Sequence, residues 1–303
     1  MTTKTFLITG GAGFIGTNIA EKLVSEGQVV KVVDNLVGGN DKRLPKEVEF
    51  NKLDIRETEA LAKVCEGVDV VIHLAALPRV QFSIQHPQET HDVNVTGTLS
   101  VLEAAKKAGV KRVVYAASSS AYGDQEVLPL SVDLPPQPKS PYALQKYMGE
   151  EMMRLWSEIF SIETVSLRFF NVYGPHLDPE GPYALVIGRF LKLVKDGEPL
   201  TITGDGEQTR DFTHVRDVTR AVILAANKDT VGKGESLNVG AGNQTSINDL
   251  AKMIGGKIEY VPARLEPKHT MADISKTKEL LGWEPTVKLV DGVEELKKYF
   301  GLV

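Results

Sequence analysis

The eight residues TGGAGFIG, 9 to 16, constrain this chain more than any other stretch. They sit between an apolar run, TFLIT, and an amphipathic stretch from Phe14 to Ser25. Gly10 permits a tight strand-to-helix turn, Gly13 lets a pyrophosphate approach the backbone, and Gly16 lets the helix pack closely on the strand. The positive end of the helix then attracts the anion. A second apolar run, VVKVVD, ends in Asp34, eighteen positions after Gly16. A carboxylate there accepts hydrogen bonds from ribose hydroxyls and repels a 2′-phosphate, which favours NAD over NADP. Asp54, ending a third run, reads either as a contact to the adenine edge or as a plain turn residue. The small residues of HLAA leave room for a cofactor at Leu74, Ala75 and Ala76. The expected cofactor surface also takes in Phe14, Ile15, Asn35, Ile55, Asn94 and Phe169.

Further along, VEFNKLD, VDVVIHL, RVVYAAS and ETVSLRFF read as four more strands, with helical stretches over 93–108 and 141–160. Apolar strands separated by helices predict an α/β fold: a doubly wound parallel sheet of the Rossmann kind, covered on both faces. After Asn171 the rhythm breaks into Pro- and Gly-rich segments with short elements. The expected division is a dinucleotide-binding domain over 1–170, with 213–237 packing back onto it. Residues 171–212 and 238–303 then form a smaller mixed α/β lobe, and a cleft between the two is the default ligand site.

Two motifs carry chemistry. Tyr142 and Lys146 stand four residues apart near a helix start, so both side chains share one face. A tyrosine hydroxyl is a poor base at neutral pH, and a nearby cationic charge brings it toward working range. Lys146 is also placed to reach ribose hydroxyls. The run Ser118-Ser119-Ser120 leaves the fifth strand at the sheet edge where ligands bind. One hydroxyl there can share the substrate proton with Tyr142 while the others satisfy the turn. His73 and Trp283 read as packed residues. Cys65, the sole cysteine, reads as a small buried hydrophobe.

The strings TGGAGFIG, AASSSAYGD, SPYALQK, LRFFNVYGP, RDFTHVRD and ADISKTKELLGW together resemble the extended short-chain dehydrogenase/reductase family, and within it the UDP-hexose 4-epimerases. The resemblance implies NAD, a UDP-sugar substrate and a homodimer packed through the helices near 93–108 and 141–160. It implies Tyr142 as the base, Lys146 as its lysine, and Ser118 as the serine, with Ser119 close enough to take that role. Asn171 and Val186 are implied on the substrate side, with Arg210 and Arg264 clamping the diphosphate. Read without the family, either arginine serves equally as a surface ion-pair residue. The segment ARLEPKH is one residue shorter than the family pattern, which puts Arg264 and the ribose contact of Glu266 in doubt. His269 there reads as structural. Thr270 stands where a tyrosine in relatives excludes N-acetyl groups.

Three activities are weighed. The first is 4-epimerisation of UDP-Glc/UDP-Gal and UDP-GlcNAc/UDP-GalNAc through a transient 4-keto sugar. The second is a 4,6-dehydratase, disfavoured because no carboxylate occupies the Ser118–Ser120 turn. The third is a silent NAD-binding regulator, disfavoured because Tyr142 and Lys146 are both present. A net charge of −5 without a basic stripe gives no nucleic-acid footprint. No apolar run approaches about 18 residues, and the N-terminus is short and polar before its first strand. A cytoplasmic protein is expected, with no metal and no membrane or nucleic-acid partner.

Overall fold

The computed structural model describes residues 3–179, 185–263 and 268–302. Its centre is a sheet of seven parallel strands: β1 (Thr5–Thr9), β2 (Val29–Asp34), β3 (Glu49–Lys52), β4 (Val70–His73), β5 (Arg112–Ser118), β6 (Glu163–Phe169) and β7 (Lys233–Val239). Their order is β7-β6-β5-β4-β1-β2-β3, with every neighbouring pair parallel. The chain switches direction across the sheet between β1 and β4, which opens a crevice at the carboxyl ends of those strands.

Successive strand residues point to opposite faces, and both faces are buried, so the strands are apolar throughout. Phe6, Ile8, Val32, Ile72, Val114 and Leu167 pack against α1 (Phe14–Ser25) and α6 (Val215–Asn227). Leu7, Val33, Val71, Val113 and Tyr115 pack against α2 (Thr58–Val64), α3 (Gly97–Ala108) and α4 (Pro141–Phe160). Cys65 lies in this second layer, where burial pushes its thiol up to about 12. Trp283 is buried in the first layer and donates its ring N–H to the Asp217 carbonyl at 2.9 Å.

The seventh strand comes from beyond the break in rhythm. Buried Arg112 ties it down by donating to the carbonyls of Ala225, Lys228 and Val231, at 2.8 to 3.2 Å. The stretch 93–108, expected as one helix, begins instead with a wide π turn at Asp92–Thr96 before α3. That turn carries Asn94 inward, and such widened turns recur at functional sites.

The remaining chain forms a smaller mixed lobe. It holds α5 (Val186–Asp196), α7 (Ile247–Ile254) and α9 (Leu289–Tyr299) with short paired strands, while α8 (Ser275–Leu281) packs back on the sheet through Leu281. Its own core includes Tyr173, Phe190, Leu200, Ile202, Leu250 and Leu296. Among the described residues, no helix is long and apolar enough to cross a membrane, and no group of three His, Cys, Asp or Glu gathers to hold a metal.

Candidate active site

Thr9, Asp34, His73, Ser118 and Phe169 are the last residues of their strands, so the expected site residues meet on one sheet edge. Gly10 turns there with φ +69°, and a Cβ on it would lie 2.7 Å from the Ala75 backbone nitrogen. A Cβ on Gly16 would lie 2.6 Å from the Gly10 carbonyl oxygen. Gly13 precedes α1 as its N-cap with no side-chain cap, leaving first-turn N–H groups for a ligand. This hollow fits a dinucleotide pyrophosphate, with Gly10, Gly13 and the start of α1 holding it. Gly16→Ala has only backbone to displace. It is expected to lower dinucleotide affinity by about tenfold or more, read from NAD released on denaturation of purified protein.

Asp34 accepts from the backbone N–H of Ala12 at 3.1 Å and of Leu36 at 2.8 Å. Burial raises its pKa and those two donors oppose the rise. The carboxylate therefore braces the fingerprint loop at the place where a ribose would lie. Asp54 is committed to Arg56 through two contacts at 2.9 and 2.7 Å, which draw its pKa down to about 2. It also accepts from Asn35 at 3.3 Å, so this is chiefly a turn held by an ion pair. Ile55 is buried beneath Gly97. Phe14, Ile15, Leu74, Ala75, Ala76 and Phe169 are half-buried near the sheet edge.

Asn94 is held within the protein by Leu77 and Gln145. Its Oδ1 accepts the Leu77 N–H at 2.7 Å, and its Nδ2 donates to the Leu77 carbonyl at 3.1 Å and to Gln145 Oε1 at 2.9 Å. Both amide protons are spent inside the protein and the residue is buried, so the side chain fixes the loop after β4.

The reactive helix is anchored at its start. Ser140 caps it by accepting from the Ala143 N–H at 3.2 Å, Pro141 follows the cap, and Tyr142 N–H donates to Ser83 Oγ at 3.1 Å. Gly149 lets the helix lie close on β5, since a Cβ there would be 2.3 Å from the Tyr115 hydroxyl oxygen. These contacts set Tyr142 near enough to Ser118 for the serine side chain to act on its hydroxyl. Burial raises the tyrosine pKa, and the Ser118 contact draws it back. Ser118 Oγ also lies 2.7 Å from Ser120 Oγ and accepts the Ser120 N–H at 3.2 Å. Ser119 begins the 3-10 turn that follows β5.

Lys146 is buried, with Nζ 4.5 Å from the centre of the Tyr115 ring. Burial lowers its pKa to about 7, against the opposing charge of Glu150. Nearby His73 is held between Thr9 at 2.7 Å and Thr98 at 3.0 Å, and burial keeps it neutral with a pKa of about 3. Sequence reasoning missed Glu150, although it continues the face of Tyr142 and Lys146 at another four-residue step. It also missed Asp211, although that residue lies within the string RDFTHVRD.

On the opposite side, Asn171 adopts φ +26° and donates to the Asp211 carbonyl at 3.2 Å. Val186 opens α5 and lines a small hollow with Asn171, Leu185 and Phe212. Arg210 is buried and donates to the Thr209 carbonyl at 2.9 Å. Thr270 follows at the bridge between Thr209 and His269, with Oγ1 accepting the Asp211 N–H at 3.4 Å. Arg264 and Glu266 lie outside the described residues.

A model of the NAD dependent epimerase/dehydratase family matches residues 6–240. A putative UDP-glucose 4-epimerase from Methanocaldococcus jannaschii is 39% identical over 300 residues, covering 96% of each chain. The fold aligns with the UDP-glucose 4-epimerase of Thermotoga maritima, solved with UDP-glucose, at a TM-score of 0.94 and 36% identity, covering 98% of this chain and 99% of that one. It aligns equally with the UDP-N-acetylglucosamine 4-epimerase of Methanobrevibacter ruminantium, solved with UDP-N-acetylmuramic acid, at 0.94 and 33% identity, covering 100% and 99%. Alike over most of its length in sequence and throughout in fold, the chain belongs to the NAD dependent epimerase/dehydratase family, enzymes of the extended short-chain dehydrogenase/reductase type.

Proposed function

We propose that this enzyme is a UDP-hexose 4-epimerase that interconverts UDP-Glc with UDP-Gal and UDP-GlcNAc with UDP-GalNAc. The observation that carries this is Tyr142 beside Ser118, one helical turn from buried Lys146, on a sheet edge shaped for NAD. The dinucleotide-binding domain is taken as 1–170 with 213–237, and the nucleotide-sugar lobe as 171–212 with 238–303. Bound NAD supplies the hydride acceptor and donor for sugar C4.

The remaining work belongs to the chain. Tyr142 takes the proton of the 4-hydroxyl as the carbonyl forms and returns it when the alcohol is restored on the other face. Ser118 donates to the reacting oxygen and fixes its distance from Tyr142. The buried Lys146 places a cationic charge where a developing phenolate is otherwise isolated from water. Asn171, Val186, Arg210 and Arg264 hold the nucleotide end, so the sugar is free to turn while binding energy stays remote from the reacting carbon. The absence of any carboxylate in the Ser118–Ser120 turn argues against a 4,6-dehydratase, which needs an additional acid and base.

Thr270 supports acceptance of N-acetyl groups, because it is smaller than tyrosine and its hydroxyl already binds the Asp211 N–H. Thr270→Tyr is expected to lower kcat/KM for UDP-GlcNAc by about tenfold or more while leaving UDP-Glc within a few-fold. Equal effects on the two substrates would remove the gate. A dimer formed through α3 and α4 is favoured by the exposed apolar side chains Leu99, Leu144, Met148, Leu155 and Ile159.

The direct test is NMR of the anomeric protons after separate incubation with UDP-Glc, UDP-GlcNAc and UDP-glucuronate. Galacto isomers from the first two support the whole assignment. Conversion of UDP-glucuronate alone would redirect the substrate class. No conversion with NAD supplied would move the chain toward a silent binder.

A further inference from the structure

Asp211 is fully buried, and two chain segments close on its carboxylate. Oδ1 accepts the N–H of Ala241 at 2.7 Å. Oδ2 accepts the N–H of Gly242 at 3.0 Å and of Ala272 at 2.9 Å. The backbone of the same residue is equally committed: its carbonyl accepts from Asn171 Nδ2 at 3.2 Å and its N–H donates to Thr270 Oγ1 at 3.4 Å. It also directly follows Arg210. Asp211 thus touches, or adjoins in the chain, three residues assigned to the nucleotide sugar, yet has no exposed atoms with which to bind one itself.

Gly240 leaves the room this requires. A Cβ there would lie 2.9 Å from Asp211 Oδ2 and 2.4 Å from the Ala272 Cβ. A carboxylate suits the place because both oxygens face donors and only an ionised acid accepts at every position. Burial raises its pKa to about 6, and those three N–H groups oppose the rise.

We infer that Asp211 is a positioning residue that sets the spacing of Asn171, Arg210 and Thr270 and thereby controls affinity for the nucleotide half of the substrate. The inference rests on the function proposed above. Asparagine in this place must turn its NH2 toward at least one backbone N–H, and that repulsion separates the segments the aspartate joins. The reacting edge, with Ser118, Tyr142 and Lys146, lies on other elements. Binding lost at the nucleotide end is lost equally from ground and transition states, and so appears in KM and not in kcat.

The experiment compares wild-type holoenzyme with Asp211→Asn and Gly240→Ala. It measures steady-state kinetics with UDP-glucose, UDP affinity by calorimetry, bound NAD and thermal midpoint. For Asp211→Asn, KM and the UDP dissociation constant are expected to rise about tenfold or more, with kcat within about threefold and NAD retained. Gly240→Ala keeps the carboxylate but displaces it, and is expected to show the same pattern more weakly. It carries the test alone if Asp211→Asn does not fold. Unchanged KM and UDP affinity in a folded variant would overturn the inference. So would a joint fall of kcat, affinity and NAD content, which marks general loosening. If wild-type protein binds UDP but turns over no UDP-sugar, the reaction assigned above fails, while UDP calorimetry still decides the role of Asp211.

Discussion

Tyr142→Phe is expected to lower turnover by about 10²- to 10⁴-fold while NAD stays bound and KM for UDP-glucose changes little. The substitution removes one hydroxyl and leaves the ring, the Ser140 cap and the Tyr142 N–H contact to Ser83 intact. Ser118 loses its partner but keeps Ser120 at 2.7 Å, so the turn after β5 has no reason to move. The defect must therefore appear in the chemical step. Single-turnover kinetics on purified holoenzyme, with bound NAD measured on the same sample, reads it directly. Near-normal turnover would remove Tyr142 from its assigned role and transfer the proton handling to Ser118. Ser118→Ala is the milder companion, because burial raises the Tyr142 pKa and the serine contact is what opposes it.

Glu150→Ala is expected to cost about 3–5 kcal/mol of stability, a large part of the about 5–15 kcal/mol that holds a typical domain. Glu150 and Arg168 form an almost wholly buried pair, with Arg168 Nε 3.1 and 3.0 Å from the two oxygens and Nη2 2.8 Å from Oε2. Ser236 donates to the same carboxylate at 3.1 Å, and the guanidinium lies 4.6 Å from the centre of the Tyr122 ring. Removing the acid strands a charge under the sheet edge, and that desolvated cation is the source of the cost. Replacing both partners by apolar residues, Glu150→Leu with Arg168→Met, is expected to recover most of the loss in urea denaturation. A single variant as stable as wild type would show that water reaches this pair. A second consequence follows for catalysis. Glu150 opposes the effect of burial on Lys146, so in Glu150→Ala the lysine surrenders its proton at a lower pH than about 7.

The fingerprint, the order of the first six strands and the helix at Pro141–Phe160 were legible because each depends on neighbours in the chain. Glycine spacing, two-residue and 3.6-residue periodicity and a Ser-Pro cap are local signals. Tyr142 and Lys146 were legible for the same reason, as two positions on one helical face. Asn94 shows where local signals stop: in the π turn at Asp92–Thr96 it bonds to Leu77 and Gln145, the latter 51 residues away. For Asp54, which reads equally as an adenine contact or a turn residue, the structure adds the ion pair with Arg56.

The sequence by itself therefore determined the sheet, the dinucleotide cradle and the residues able to move a proton. Only the tertiary structure showed that the stretch expected to pack back on the first domain adds KGESLNV as a seventh strand, and that Glu150 and Asp211 are buried. Glu150 reaches Ser236 across 86 positions and Asp211 reaches Ala272 across 61. A lone acidic residue in a sequence looks like surface. What makes these two structural is the cost of burying a carboxylate without donors, and those donors come from segments that only the closed fold brings together.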